Sequence, residues 1–267
     1  MKKIELKTMS ASKLRLYLQC PLRYYYAYGE GIFQKETKAT RFGAYIHAVL
    51  ENYLKHLLIT GRQQDMEGLY GIVSSKKKEF EEIPNTGELS FFEADIILNR
   101  FASKKINPSK IYAVEKFFQI PFYPKEPVSN GVYGDGEISI DGRIDRIDIE
   151  YHKEGGLLHI IDYKTGKNEL TEKELEDDIQ MKFYIAAAYF LYRKFYKRFR
   201  FSLYYLRHGR EVNFETDYRG EYGEELRNHI SAVNKDADYK KIVTKLCCYC
   251  PAFKICKPDM SRIKNEG

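Results

Sequence analysis

The sequence predicts an α/β fold with one helix-rich lobe, and the order of its hydrophobic patterns is the reason. Helical periodicity dominates residues 41–105, three strand patterns follow at 111–122, 137–151 and 157–164, and a long helix pattern at 177–196 precedes two more strands at 200–206 and 211–215. Gly155-Gly156 is a turn signal between the second and third strands, so these two are expected to pair as an antiparallel hairpin.

In chain order, Ser10 or Ser12 can cap a first helix carrying Leu14, Tyr17 and Leu18, which delivers Cys20 at its end. Residues 41–59 form an amphipathic helix in which His47 lies among Ile46, Val49, Leu50, Tyr53 and Leu54. Helical patterns continue over 63–105, broken at Ile83-Pro84-Asn85-Thr86-Gly87. After the strands, a helix at 221–233 leads to a C-terminal cysteine group. The expected organisation is a single domain over 1–267. Within it, a helical lobe covers about 41–110 and a catalytic core about 111–215, and residue 20 joins 247–256 in a cysteine region.

The run Leu157-Leu158-His159-Ile160-Ile161 closes on Asp162-Tyr163-Lys164, followed by Thr165-Gly166-Lys167. On a strand, Asp162 and Lys164 project to the same face while Tyr163 points the other way. A carboxylate in such a site can hold a hard divalent cation, and the amine can orient a water or offset charge growing on a phosphate. The triplet alone is not specific, since Asp238-Tyr239-Lys240 and Glu5-Leu6-Lys7 share its form. Its context adds Asp145 in the alternating strand Asp141-Gly142-Arg143-Ile144-Asp145-Arg146-Ile147-Asp148-Ile149, where Asp145 could instead be paired with Arg143 or Arg146. Two carboxylates held close need a compensating charge, and a bound cation supplies one. Glu115, in Ile111-Tyr112-Ala113-Val114-Glu115, is a third candidate acid, or else an exposed strand acid.

These residues resemble the RecB-like branch of the PD-(D/E)XK nucleases, over most of the chain. Gly43-Ala44-Tyr45-Ile46-His47 matches that family's helical histidine, Asp145 its Gly-Arg-Ile-Asp-Arg-Ile-Asp strand, Asp162 and Lys164 its Asp-x-Lys, and Gln180 and Tyr184 its Gln-x-x-x-Tyr helix, all in the expected order. The resemblance implies a restriction-endonuclease-like mixed β-sheet core flanked by helices, with 63–105 as the helical insertion. It implies that His47, Asp145 and Asp162 ligate Mg or Mn, with the Tyr163 carbonyl as a further ligand, Lys164 as the catalytic lysine and Glu115 assisting. Gln180 and Tyr184 would position the substrate strand. Taken singly, His47 reads as a half-buried, hydrogen-bonded histidine, and Gln180 and Tyr184 as boundary residues on one helix face.

Five cysteines are present: Cys20, Cys247, Cys248, Cys250 and Cys256. Cys247, Cys250 and Cys256 form a compact chelating group that Cys20 completes if the ends of the sequence meet, with Cys247 and Cys248 interchangeable as ligands. Four thiolates suit either zinc or an iron-sulfur cluster. The spacing, one distant cysteine and a C-x2-C-x5-C tail, resembles iron-sulfur nucleases of the same family, AddB-type and CRISPR-associated members among them. That resemblance implies a 4Fe-4S cluster on Cys20, Cys247, Cys250 and Cys256. A disulfide framework is disfavoured in a long, cysteine-poor chain without a secretory segment.

The net charge of +6, from 44 basic and 38 acidic residues, is a modest excess, so only its distribution can serve a polyanion. Its densest mixture of cations and rings is Arg193-Lys194-Phe195-Tyr196-Lys197-Arg198-Phe199-Arg200, which suits phosphates and stacked bases but equally suits core rings with solvated cations. No apolar run is long enough to span a bilayer and the opening residues do not form a signal peptide, so no membrane partner and a cytoplasmic location are expected. Gly166-Lys167 is followed by Asn168, not Ser or Thr, so no phosphate-binding loop and no nucleotide cofactor are expected. The expected function is metal-dependent hydrolysis of DNA phosphodiesters. By resemblance the enzyme is an exonuclease on single-stranded or frayed ends, in repair, recombination or CRISPR adaptation, with a separate helicase or CRISPR adaptation proteins as partners. A non-catalytic DNA-binding or scaffolding subunit and a zinc-stabilised adaptor are the alternatives.

Overall fold

Short polar side chains set most helix starts in the computed structural model, which describes residues 2–122, 138–152 and 155–262. Ser10 caps α1 (Ala11–Gln19), and Pro21 opens α2 (Pro21–Tyr28), where its missing N–H costs nothing. Thr37 and Thr40 form a reciprocal capping box at α3 (Lys38–Thr60), and Gly61 ends that helix at a left-handed φ of 68°. Asp65 caps α4 (Met66–Lys77) and Ser90 caps α5 (Phe91–Ala102). The break expected around Ile83–Gly87 is the non-helical connection between them.

The strands are β1 (Thr8–Met9), β2 (Ile111–Phe122), β3 (Ile138–His152), β4 (Gly155–Lys164), β5 (Arg198–Tyr205) and β6 (Arg210–Thr216). They make a six-stranded mixed sheet in the order β1-β3-β4-β5-β6, with β2 beside β3. The hairpin expected from Gly155-Gly156 is present: β3 and β4 are antiparallel, with Arg146 opposite Ile161 and Tyr151 opposite Gly156. β4 and β5 are parallel, so a helical crossover must join them. Residue 137, expected to open the second strand, lies outside the described residues.

The single helix expected at 177–196 is present in that crossover as α7 (Ile179–Tyr192), started by the Asp178 side chain, which accepts from the backbone N–H of both Gln180 and Met181, and a short α6 (Glu172–Glu176) that was not expected precedes it. α7 is buried almost all round, which removes the polar face that periodicity reading relies on. Of the rings beyond it, Phe199 is fully buried on β5 whereas Phe195 is exposed.

Contacts divide the chain into two compact units: Glu36–Phe118 with Arg143–Gly220, and Met1–Lys35 with Gln119–Gly142 and Glu221–Gly267. In the first, Phe42, Tyr45, Ile46, Val49, Leu50, Tyr53, Leu54 and Leu57 give α3 one continuous apolar stripe. That stripe packs with α4, α5 and the Ile161 and Tyr163 side of β4, and each fully buried aliphatic side chain contributes about 1.5–3 kcal/mol. Asp162 and Lys164, on the other side of β4, face α7, as Phe201 does through its ring contact with Tyr184. In the second unit, Tyr17 donates to Asp236 at the end of α8 (Glu221–Lys235), the tilted rings of Tyr25 and Tyr239 lie 5.0 Å apart, and the Ile4 N–H donates to the Tyr239 hydroxyl. These bonds join sequence-distant segments and bring Cys20 to the C-terminal cysteines. α9 (Phe253–Cys256) is a single turn carrying the last of them. No described helix is long and apolar enough to cross a membrane.

Candidate active site

Three elements deliver the acidic and imidazole groups to one place. α3 brings His47, whose Nδ1 lies 3.5 Å from Asp145 Oδ2 on β3. β2 brings Glu115, and one ligand atom from each of His47, Glu115 and Asp145 falls within 4.8 Å of the others. Glu115 reaches this position at φ 52°, a left-handed conformation that a non-glycine residue rarely adopts inside a strand. Such strain persists where surrounding structure holds it and is common at functional sites.

Asp162 adjoins this group through β4. Asp145 Oδ2 accepts the Tyr163 N–H at 2.8 Å, which fixes the β4 backbone between Asp162 and Lys164. The Lys164 ammonium lies 2.6 Å from Asp162 Oδ2 and donates to Gln180 Oε1 at 2.9 Å, while Gln180 Nε2 donates to Asp162 Oδ1 at 2.8 Å. Asp162 Oδ2 is buried and, despite its contact with the ammonium, accepts no hydrogen bond of proper geometry. A buried carboxylate oxygen left in that state is costly unless another positive centre is supplied. Tyr184, four residues after Gln180, donates to the Arg143 carbonyl at 3.0 Å.

The electrostatics follow from crowding. Burial raises the Glu115 pKa to about 7, with Asp145 and Glu51 reinforcing and His47 and Arg143 opposing the shift. Burial also raises Asp162, against the pull of Lys164 and with the repulsion of Asp145. For His47, burial favours the neutral ring, but the hydrogen bond and charge of Asp145, with Asp162 and Glu115, outweigh it and raise the pKa. Three carboxylates and one imidazole thus compete for too little positive charge. A divalent cation relieves that competition, and this mixture of carboxylate oxygen and imidazole nitrogen fits one.

The predicted His47, Glu115, Asp145, Asp162, Lys164 and Gln180 are therefore brought together, with Tyr163 running between Asp162 and Lys164. Neither alternative partner of Asp145 is used: Arg143 lies 3.7 Å from Glu115, and Arg146 forms a buried two-bond pair with Asp148. Three contributors went unread in the sequence. Glu51 follows His47 by four residues, the helical spacing that puts both on one face, and that spacing could have found it. Asp178 could have been found as a cap, whereas the Arg143–Glu115 pairing has no local signal.

Cys20, Cys247, Cys250 and Cys256 line one cavity, which Cys248 does not line. Cys20 Sγ accepts the Ile242 N–H and Cys247 Sγ the Thr244 N–H, both at 3.4 Å. Burial raises the Cys256 thiol pKa, partly offset by Lys241, with Cys20, Cys250 and Cys247 adding to the rise.

The family model described as PD-(D/E)XK nuclease superfamily matches residues 8–257. The B subunit of the ATP-dependent helicase/deoxyribonuclease of Carboxydothermus hydrogenoformans is 27% identical over 195 residues, 66% of this chain and 18% of the relative. The protein of the same name from Clostridioides difficile is 28% identical over 196 residues, 65% of this chain and 17% of the relative. The chain thus spans less than a fifth of the length of these relatives. A solved structure described as "Crystal structure of SSO0001" aligns over 96% of this chain and 88% of its own, at 12% identity and a TM-score of 0.39. With a family model covering nearly its whole length and these helicase/deoxyribonuclease relatives, the chain belongs to the PD-(D/E)XK nuclease superfamily, in its RecB-like branch.

Proposed function

We propose that this protein is a divalent-metal-dependent deoxyribonuclease, acting as an exonuclease on single-stranded or frayed DNA ends. The observation that carries the reading is the approach of His47, Glu115 and Asp145 ligand atoms to within 4.8 Å of one another, beside the Asp162–Lys164 pair. His47, Asp145 and Asp162 would hold Mg or Mn, with the Tyr163 carbonyl as a further ligand and Glu115 bound directly or through water. Held there, the cation would supply Lewis acidity toward the phosphodiester and toward a water molecule.

The protein's own groups do the rest. Lys164, about one-third exposed and braced by Gln180, presents its ammonium to the attacking water and to the charge growing on the phosphoryl oxygens. The water gives up a proton to solvent as its oxygen bonds to phosphorus, the bridging P–O bond breaks, and the leaving alkoxide takes a proton from solvent. Gln180 keeps Asp162 and Lys164 in register, and Tyr184 ties α7 to β3 at Arg143.

A 4Fe-4S cluster would be held by Cys20, Cys247, Cys250 and Cys256, the four cysteines that line one cavity, with Cys248 spare. Its work would be to tie the sequence-distant segments of its unit together. A separate helicase, or CRISPR adaptation proteins, would supply opened ends.

Degradation of end-labelled and circular single strands with Mg or Mn tests the reading. Loss of the linear strand with survival of the circle is expected. Asp162→Ala and Lys164→Ala should each abolish cleavage while leaving folding intact, and cleavage retained in both variants would overturn the assignment.

A further inference from the structure

The end of β4 remote from Asp162 carries a surface that the catalytic constellation does not use. Gly156 and Asp162 are six residues apart on this strand, about 20 Å at the rise of an extended chain. Around Gly156, rings from three elements meet. Tyr112 of β2 stands edge-on to Tyr192 of α7, with centroids 5.6 Å apart. Tyr151 of β3 lies opposite Gly156 and interacts electrostatically with Tyr196. A Cβ at Gly156 would sit 2.8 Å from the Tyr196 ring, so the absent side chain is what lets that ring lie on the strand.

The platform is open to solvent. Tyr112 is 51% exposed, Tyr151 83% and the neighbouring Phe195 76%. Lys194 and Lys197 flank Phe195 and Tyr196 in sequence, both exposed, in a stretch from 193 to 200 that contains no acid. Arg198 and Arg200 are committed to Glu215, but Lys194 and Lys197 form no ion pair among the described residues. Protein–protein interfaces gather aromatics but are depleted of lysine. Exposed rings interleaved with uncommitted cations match the pattern that stacks successive bases and tracks their phosphates.

We propose that Tyr112, Tyr151, Phe195 and Tyr196, with Lys194 and Lys197, form a stacking platform for single-stranded DNA, separate from the site that cleaves it. The choice of DNA rests on the nuclease reading above; the platform itself rests on the rings and charges. A strand held there and at Asp162 is gripped at two separated points, which favours longer substrates.

The test is fluorescence-anisotropy binding of labelled oligothymidylates in EDTA, where no cleavage occurs, using Tyr151→Ala/Phe195→Ala and Lys194→Glu/Lys197→Glu. Both pairs are exposed, and unchanged melting confirms folding. The ring variant should weaken binding of long strands about tenfold or more and leave binding of an abasic strand of equal length unchanged. The charge variant should weaken both and flatten the salt dependence. Cleavage of a substrate too short to span the two points should remain at wild-type level in both variants. Wild-type affinity for the long strand in the ring variant, or no binding of single strands by the wild type, overturns the platform; the first result with normal cleavage leaves the nuclease reading standing. An absence of cleavage alongside the expected binding losses would overturn that reading and keep the platform.

Discussion

Gln180 donates its amide N–H to Asp162 Oδ1 at 2.8 Å, and the same side chain accepts from Lys164 at 2.9 Å. One neutral residue therefore sets the spacing of the two charged groups on which the proposed chemistry turns. Gln180→Ala should lower kcat roughly 10- to 100-fold, the effect of losing hydrogen bonds to charged partners worth about 1.5–3 kcal/mol. KM for DNA should change little. A rise in KM at unchanged kcat would mean that Gln180 contacts the substrate instead. Gln180→Glu should be worse than alanine, because it sets a second negative charge against Asp162.

Tyr184 makes a backbone bond, to the Arg143 carbonyl, from the same face of α7. Tyr184→Phe removes that bond and keeps the ring, so a loss of about 1 kcal/mol is expected. For a domain of this size the melting temperature should fall by about 2–4 °C. An unchanged melting temperature would show that the hydroxyl does not tie the helix to the strand.

Without metal, the acidic group should make the protein less stable as pH rises. Glu115 titrates at about 7 in the folded chain against an ordinary 4.5. Its contribution is complete below the unfolded value and is lost as pH rises through the folded one, by at most about 3 kcal/mol. The raised pKa of His47 acts in the same direction at higher pH. Melting in EDTA should therefore fall between pH 5 and pH 8. Glu115→Gln should flatten that fall, and saturating Mn should remove it. A metal-free protein equally stable at both ends of this range, relative to Glu115→Gln, would contradict the crowding.

The cysteine cavity separates Cys248 from the other four. Protein purified without oxygen should be brown and contain iron and acid-labile sulfide. Cys20→Ala should lose both and melt lower, whereas Cys248→Ala should retain them. Stoichiometric zinc without iron would reject the cluster.

The β3–β4 hairpin was legible because Gly155-Gly156 and strand alternation are local signals, and the register they imply carries Asp145 to Asp162. His47 was legible as part of an ordered set, not from its own helix, whose pattern reads as core. The contortion of Glu115 was not legible: its φ of 52° is imposed by tertiary contacts and has no signature in Ile111-Tyr112-Ala113-Val114-Glu115. Nor was α6 at Glu172–Glu176, a short charged segment in which only Leu175 is buried and which carries no apolar stripe to read. The run from Arg193 to Arg200 mixed two outcomes that alternation alone cannot separate, a core ring at Phe199 and an exposed one at Phe195.

The central claim is that residues far apart in sequence enclose one divalent ion beside an amine. Crystals soaked in Mn and measured at its absorption edge test this most directly. One strong anomalous peak is expected, ligated by His47, Asp145 and Asp162 and within reach of Glu115, and it should vanish in Asp145→Ala. A peak held elsewhere, or one that leaves His47 and Asp145 uncoordinated, would contradict it.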